Sequence, residues 1–352
     1  MPPSPTKTQQ AAALLRQLIA TPSISREESA AADLLERHLT DRNLYPHRKG
    51  NNVWCIGAAQ NAARPTLLLN AHIDTVRPVD GWTRDPFTPQ LDGDRLYGLG
   101  SNDCGGGLVS LLETFVALHA DEALPWNLVF LASAEEEVSG KNGIESVVPD
   151  LPHIDCAIVG EPTDLQPAIA EKGLMVLDCT AHGRAGHAAR DEGDNALYHA
   201  LDDINLLRRN EFPRVSPLLG AVKTTVTIIS AGTQHNVVPD RCTFTVDVRS
   251  NELYTNAELL AAISDLLSSD VKARSTRLNS SRIDPTHPLV RRALALGLKP
   301  FGSPTLSDQA LMPWPSLKLG PGSSSRSHTA DEFICLSEID AAIGLYISLL
   351  RG

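Results

Sequence analysis

The stretch that decides the fold is Thr66-Leu67-Leu68-Leu69-Asn70-Ala71-His72-Ile73-Asp74-Thr75-Val76. Its apolar run stops abruptly at an imidazole and a carboxylate, which is the pattern of a buried strand that ends at polar side chains. Because side chains alternate along an extended chain, Asp74 projects to the same side as His72 and can hold its ring. Taken alone, this His-x-Asp triplet is more typical of a satisfied polar pair at a strand end, so the rest of the chain has to decide.

Similar apolar runs alternate with helical patterns through the first half of the chain. Two amphipathic helices open it, at residues 11–19 and 31–39, and a third helical pattern covers 108–115. The other strand-like runs are 53–56, 128–132 and 157–159. This alternation predicts an α/β fold with a mixed sheet covered by helices on both faces. In such sheets, ligands bind beyond the carboxyl ends of the strands.

From about Gly173 the pattern changes. Strand-like runs lie at 174–180 and 224–229, and residues 242–249 alternate apolar with polar side chains. Helical patterns at 196–207 and 259–267 complete a separate α+β module with an antiparallel sheet. A chain of 352 residues is long for one hydrophobic core. We therefore predict a first domain from residues 1–172 and 283–352, interrupted by an inserted domain at 173–282.

Composition excludes several classes of protein. The formal net charge of −11 argues against nucleic acid as a partner, because phosphate binding needs clustered Lys and Arg. No apolar run approaches the ~20 residues of a membrane span. The polar, Pro-rich start lacks the apolar core of a secretion signal, which predicts a cytoplasmic protein. Six cysteines stand singly, without a Cys-x-x-Cys pair, which argues against a zinc ribbon or a disulfide framework.

Acidic and imidazole side chains follow the strand-like or loop segments. They are His72, Asp103, the triplet Glu135-Glu136-Glu137, Glu161 and His328. Each has a simpler interpretation: the triplet suits a helix N-terminus, Glu161 before Pro162 suits a turn, and His328 suits a helix cap. However, three adjacent carboxylates at a strand end are costly unless cations compensate them. If all the simpler interpretations held, polar side chains with unrelated roles would have to occur by chance at successive strand ends of one chain.

The ordered set of motifs resembles the di-zinc M20 family of metallopeptidases and deacylases. The motifs are His72-x-Asp74, Gly-x-x-Asp103, Glu136-Glu137, Gly160-Glu161-Pro162-Thr163 and His328-x-x-Asp331-Glu332. The resemblance covers nearly the whole chain and implies a zinc-peptidase-like catalytic domain with an inserted lid and dimerisation domain. It implies two zinc ions per subunit, one held by His72, Asp103 and Glu161 and the other by Asp103 as a bridge, Glu137 and His328. Cobalt or manganese would suit the same ligands.

The resemblance also implies that Glu136 is the general base and that Asp74 orients His72. Glu135 stands where the family commonly has Asp, which leaves a one-residue ambiguity in naming base and ligand; the Val-Ser-Gly turn at 138–140 favours Glu136 and Glu137. A second departure is Cys104-Gly105-Gly106-Gly107 in place of the family's Met-Lys-Gly. We reject Cys104 as a nucleophile because no histidine is tied to it in the sequence.

The inserted domain carries further candidates. Residues 183–189 resemble the family's lid motif, in which His187 would reach the active site of a partner subunit, and this implies a homodimer. Asn236 and Arg249 match positions that contact the substrate carbonyl and its α-carboxylate. The simpler interpretations are a glycine-rich turn with an exposed histidine for His187 and a surface ion pair with Asp247 or a neighbour for Arg249.

Before His328, Gly320 and Gly322 resemble a substrate loop with backbone N–H groups available to a carboxylate, or else form a solvated hinge. Together, these similarities imply an amidohydrolase that removes the acyl group of an N-acyl amino acid, such as N-acetylornithine or N-acetylcitrulline in arginine biosynthesis. Three ligand carboxylates against two Zn²⁺ leave a charge of about +1, which suits a developing oxyanion.

Alternatives within the family are succinyl-diaminopimelate desuccinylase and a dipeptidase or carboxypeptidase. Outside enzymes, a metal-free binding protein and a structural dimer scaffold are the rival hypotheses.

Overall fold

The computed structural model describes residues 5–351. Its helices are α1 (Lys7–Ile19), α2 (Ser29–Asp41), α3 (Gly106–Leu118), α4 (Ile144–Val147), α5 (Ala196–Arg209), α6 (Asn256–Leu266), α7 (Pro288–Ala295) and α8 (Leu336–Arg351). Its strands are β1 (His47–Lys49), β2 (Asn52–Ile56), β3 (Thr66–His72), β4 (Gln90–Asp92), β5 (Arg95–Tyr97), β6 (Asn127–Ser133), β7 (Cys156–Val159), β8 (Ala168–Glu171), β9 (Met175–His182), β10 (Gly186–His187), β11 (Lys223–Ala231), β12 (Val237–Val238), β13 (Arg241–Arg249), β14 (Asp270–Ala273), β15 (Ser281–Arg282), β16 (Phe301–Ser303), β17 (Ser316–Lys318) and β18 (Phe333–Cys335).

The chain forms two units. The first contains the residues up to Ile169, Ile283–Phe301 and the residues from Ser307 onward, and the second contains Ala170–Arg282 and Gly302–Leu306. The predicted boundary at 172/173 lies three residues from the observed one, and 282/283 is also where the units divide. One segment differs from the prediction. Residues 302–306 belong to the second unit, because the Lys172 N–H donates to the Ser303 carbonyl at 3.1 Å.

A mixed sheet forms the centre of the first unit. Its strands follow the order β1-β2-β6-β3-β7-β17-β8, with β3 parallel to both β6 and β7, and β2 antiparallel to β6. Every residue of β3 and β6 is buried, as expected for strands that are covered on both faces. The predicted α/β fold with a mixed sheet is therefore confirmed. A small sheet of β18, β5 and β4 lies in the same unit.

Helices cover this sheet because their apolar stripes need burial. A capping box of Thr6 and Gln9 starts α1, whose buried stripe of Ala11, Leu14, Leu15 and Ile19 has helical spacing. Helices α1, α3 and α8 pack together, and α3 also contacts β3 and β6. On one face of the sheet, Leu68 of β3 belongs to a hydrophobic cluster that contains Ile144 and Val147 of α4. Alternation along β3 places Leu67 and Leu69 on the face opposite to Leu68.

The second unit has an antiparallel sheet of order β11-β13-β9-β14. The alternation predicted for residues 242–249 is present in β13, where every second side chain is buried. Those apolar side chains share one cluster with residues of α5 and α6. The strand β10 pairs with β12 in a short antiparallel ladder.

Within residues 5–351, no helix combines the length and the apolar character that crossing a bilayer requires. The cytoplasmic location stays a prediction.

Candidate metal centre

Three neighbouring parallel strands deliver polar side chains to one edge of the sheet. His72 is the last residue of β3, the acidic triplet follows β6, and Glu161 follows β7. Because parallel strands place their carboxyl ends together, residues far apart in the chain meet at this edge. His328 comes from the chain after β17 and approaches the same place.

One side of the cluster is built around His72, which is 2% exposed. Its Nε2 atom lies 3.2 Å from Asp103 Oδ1 and 3.7 Å from Glu161 Oε1. That Glu161 oxygen is buried without a hydrogen-bond partner. Burial and the charge of Asp103 raise the pKa of Glu161 to about 8. An orphaned carboxylate oxygen beside an imidazole fits a site for a cation, since leaving it unpaired is costly.

The other side of the cluster is built around His328. Its Nε2 atom lies 3.0 Å from Glu137 Oε1 and 3.6 Å from Asp103 Oδ2. The hydrogen bond that the His328 ring donates to the Glu137 carboxylate raises the pKa of His328 to about 9. Asp103 therefore stands between the two imidazoles, with one oxygen toward each. This is the arrangement expected of a carboxylate that bridges two cations.

The donor set suits divalent metal ions. Ligand atoms of His72, Asp103 and Glu137 all lie within 4.8 Å of one another. Imidazole nitrogens and carboxylate oxygens are donors that Zn²⁺, Co²⁺ and Mn²⁺ accept. The residues present therefore fit the implied metals.

Members of the acidic triplet differ in their surroundings. Glu136 Oε2 lies 3.9 Å from His72 Nε2. Burial raises the pKa of Glu136 well above its usual value, and nearby carboxylates, including that of Glu161, add to the effect, whereas His72 opposes it. Glu135 turns elsewhere, because its Oε1 accepts from the Asn142 amide at 2.9 Å. This leaves Glu136 and Glu137 beside the imidazoles.

Asp74 holds more than the ring of His72. The shortest contact of His72 Nδ1 is the backbone carbonyl of Asp74 at 2.9 Å, whereas Asp74 Oδ1 lies 3.6 Å away. The Asp74 carboxylate accepts from Ser25 Oγ at 2.7 Å and from the N–H groups of Glu136 and Glu137 at 3.0 and 3.1 Å. It therefore positions the acidic loop as well as the imidazole, which the sequence did not predict.

Two further buried carboxylates support the centre and had no predicted role. Glu332 accepts the N–H groups of Gly100, Asn102 and Asp103 at 2.8–3.0 Å and so fixes the loop that carries Asp103. Asp308 accepts from Ser133 Oγ at 2.5 Å. Burial raises the pKa of Glu332 to about 7 and that of Asp308 to about 6. For Asp308, the available signal was Asn70 and Ser133, polar residues in buried strands that need polar partners.

The predicted substrate loop contacts neighbouring loops through its backbone N–H groups. The Gly320 N–H donates to Thr163 Oγ1 at 3.1 Å, and the Ser323 N–H donates to Asn102 Oδ1 at 3.2 Å. Both N–H groups therefore have protein partners in the structure, and the role of Gly320 and Gly322 in a substrate loop stays a prediction. Gly322 has a φ of +79°, and a Cβ there would lie 2.2 Å from Asn102 Oδ1. These glycines let the segment approach the loops that carry Glu161 and Asp103.

His187, Asn236 and Arg249 lie in the second unit. His187 is exposed on β10, and its Nδ1 atom accepts from the Ala189 N–H at 3.1 Å. The Asn236 carbonyl accepts from the Ala188 N–H, which places Asn236 beside the turn that follows His187. Arg249 donates to both carboxylate oxygens of Asp247, at 2.8 and 3.0 Å. The simpler interpretation of Arg249, an ion pair with Asp247, is therefore what the structure contains.

The fold and the cluster together define an α/β protein with a candidate metal centre at the carboxyl ends of its parallel strands. Residues 68–352 match the model of peptidase family M20/M25/M40, and the chain belongs to this family.

Its relatives include an acetylornithine deacetylase of Pectobacterium carotovorum subsp. carotovorum (strain PC1), 30% identical over 91% of this chain and 92% of the relative. Another is an acetylornithine deacetylase of Shigella sonnei (strain Ss046), 31% identical with the same coverage.

Solved structures show the same fold. A tripeptidase of Staphylococcus aureus superposes with a TM-score of 0.76 at 19% identity, over 98% of each chain. A dinuclear metal-binding peptidase of the M20 family from Bacillus subtilis superposes with a TM-score of 0.73 at 15% identity, again over 98% of each chain.

Proposed function

We propose that this chain is a metal-dependent amidohydrolase that removes the acyl group of an N-acyl amino acid, with N-acetylornithine or N-acetylcitrulline as the substrate in arginine biosynthesis. The observation that carries the proposal is Asp103, whose two oxygens face the imidazoles of His72 and His328. The substrate class is supported by relatives named acetylornithine deacetylase, which match over nine-tenths of the chain.

Two divalent ions, zinc in our proposal, would be held by the cluster. His72, Asp103 and Glu161 would hold one ion, and Asp103, Glu137 and His328 the other. The name of the Bacillus subtilis neighbour, a dinuclear metal-binding peptidase, supports the number of ions. When bound, such ions act as Lewis acids toward a carbonyl oxygen and make a water molecule more acidic. Cobalt and manganese remain alternatives because the donors are nitrogen and oxygen.

Glu136 would move the proton. Its carboxyl group lies beside His72, but Glu136 belongs to neither of the two proposed sets of metal ligands. Its carboxyl group therefore stays available for proton transfer. A buried carboxyl group with a raised pKa can accept a proton from the attacking water and return it to the leaving amine. Asp74 serves this step indirectly, since it fixes the backbone N–H of Glu136.

The second unit would supply a dimer interface and contacts to the substrate. Its edge strand β11 exposes Ile228 and Ile229, and helix α5 exposes Tyr198, Leu201 and Leu206. An unpaired strand edge next to exposed apolar side chains is typical of a surface that a second copy covers. We propose a homodimer of this kind, with His187 acting at the partner's site and Asn236 and Arg249 contacting the substrate. To do so, the Arg249 guanidinium would have to release the Asp247 carboxylate and bind a substrate carboxylate instead.

A panel of substrates tests the proposal. Metal-stripped and zinc-loaded protein are assayed for amine release from N-acetylornithine, N-acetylcitrulline, N-succinyl-diaminopimelate, a dipeptide and a tripeptide. We expect activity only after metal loading, with kcat/KM for an acetylated amino acid at least about tenfold above the others, a difference of about 1.4 kcal/mol.

Peptide hydrolysis is the second candidate, because structural neighbours of this chain are named as peptidases. Turnover of the peptides alone would replace the deacylase proposal with this one. Desuccinylation would be favoured if N-succinyl-diaminopimelate were the best substrate.

A further inference from the structure

Cys104 differs in its surroundings from the other cysteines of the chain. Its side chain is buried, at 2% exposure, and follows Asp103 directly. The Sγ atom, a ring nitrogen of His72 and a carboxylate oxygen of Glu161 all lie within 4.8 Å of one another. Among residues 5–351, no other cysteine belongs to such a group of potential metal ligands. A buried cysteine that only fills space in the core would not need to lie beside two proposed metal ligands.

We propose that Cys104 gives its sulfur to the metal ion that His72 and Glu161 hold. This inference rests on the metal centre of the proposed function. Typical bonds are about 2.3 Å for zinc to sulfur and about 2.0–2.2 Å for zinc to nitrogen or oxygen, so ligand atoms around one tetrahedral ion lie about 3.3–3.8 Å apart. The Cys104 sulfur, the His72 nitrogen and the Glu161 oxygen therefore need to move closer to one another by at most about 1.5 Å to share one ion. The orphaned Glu161 oxygen belongs to this same group.

The surroundings of Cys104 hold the sulfur near this position. The Sγ atom donates to the Gly160 carbonyl, at 3.6 Å, which belongs to the residue before Glu161. The carbonyl is itself fixed, because Gly107 of α3 packs so closely that a Cβ there would lie 1.6 Å from it. Gly107 thus allows the start of α3, and the sulfur with it, to lie against the loop that carries Glu161.

Sulfur in the centre changes its charge and its choice of metal. When the metal binds, the S–H proton passes to solvent and the sulfur carries one negative charge. Four anionic donors then balance two divalent ions, so the centre is neutral rather than about +1. A thiolate also favours zinc and cadmium over manganese and magnesium. Cys104 would therefore narrow the metals that the site accepts.

Cobalt alone, added to the metal-stripped full-length chain, is the probe. We expect a near-ultraviolet sulfur-to-cobalt charge-transfer band in the unmodified protein and in the control Cys335→Ser, a partly buried cysteine outside the group. Cys104→Ser and Cys104→Ala are expected to bind cobalt without this band. We also expect Cys104→Ser to lower the ratio of Cd²⁺ to Mn²⁺ affinity by about tenfold or more.

The unmodified protein decides the outcome even if a variant fails to fold. Its ¹¹³Cd resonance should lie in the region of a site with a sulfur donor. Stoichiometric cobalt binding without the band, or a band that persists in Cys104→Ser, would overturn the role of Cys104 and leave the metal centre intact. If the protein bound no cobalt at all, both the sulfur ligand and the metal centre of the proposed function would be wrong.

Discussion

At the scale of residues, adjacent side chains have different tasks because the backbone sends them in different directions. Glu135 turns to Asn142, Glu136 stands beside His72, and Glu137 contacts His328. The Asp74 carboxylate holds the N–H groups of the last two. The acidic triplet is therefore one motif in the sequence but three environments in the structure.

Replacing Glu136 by Gln separates proton transfer from metal binding. The amide keeps the shape of the side chain but cannot accept a proton, so we expect kcat to fall by about 10²–10⁴-fold. Metal content should stay unchanged, because Glu136 is not one of the proposed ligands. Steady-state kinetics and metal analysis measure the two effects.

Glu135→Gln is the matched control, and its kcat should stay within a few-fold of the original value. If Glu136→Gln kept full activity, or if Glu135→Gln lost as much, the base would be assigned to the wrong member of the triplet.

Residues at strand ends were predictable, whereas the residues that support them were not. His72 and Glu161 follow apolar runs, so their convergence could be predicted from parallel strands. Asp74 bonds Ser25 at a separation of 49 residues, and Asp308 bonds Ser133 at 175. No local pattern links such pairs, and only the folded chain brings them together. The partners of the Gly320 and Ser323 N–H groups, Thr163 and Asn102, could not be predicted for the same reason.

At the scale of elements, the start of α3 explains why glycines follow Cys104. A Cβ at Gly107 would lie 1.6 Å from the Gly160 carbonyl oxygen, and one at Gly105 would lie 2.4 Å from the Gly100 carbonyl oxygen. Hydrophobic periodicity predicted the helix, but the glycines had no local explanation. Gly107 is explained by the close approach of α3 to the end of β7, and Gly105 by the close approach of the chain to the Gly100 carbonyl, both of which are properties of packing.

Gly107→Ala should therefore destabilise the protein. The added methyl group forces α3 away from Gly160, with an expected cost of about 1–3 kcal/mol. Gly344→Ala is the matched control, because Gly344 lies in α8 with nothing within 4 Å of its Cβ position. There alanine should stabilise by about 0.4–1 kcal/mol. The denaturant midpoint of each variant, measured at constant m-value, gives the change in its free energy of unfolding. Equal shifts of the two midpoints in the same direction would refute the packing explanation.

At the scale of the whole molecule, the change from an α/β pattern to alternating strands marks the inserted unit. The residues at 302–306 could not be assigned this way, since their place depends on the pairing of Ser303 with the distant Lys172. Side-chain patterns thus indicated where the chain enters and leaves the second unit. They did not reveal that the short segment 302–306, which follows residues of the first unit in the sequence, belongs to the second unit.

The proposed dimer interface depends on the exposed edge strand β11 of the second unit. Ile228→Glu places a charge on the exposed edge strand β11, where Ile228 is 59% exposed, so we expect the variant to sediment as a monomer. The control is Tyr45→Glu, which changes an exposed apolar residue of the first unit and should sediment as a dimer. Sedimentation velocity distinguishes the two. An unmodified protein that sediments as a monomer at all concentrations would exclude the interface.

Anomalous diffraction from crystals of the zinc-loaded protein tests most directly whether two metal ions are held by His72, Asp103, Glu137, Glu161 and His328. We predict two anomalous peaks that share Asp103, one also contacting His72 and Glu161 and the other Glu137 and His328. Absence of both peaks from this cluster, or zinc bound only elsewhere on the chain, would contradict this assignment.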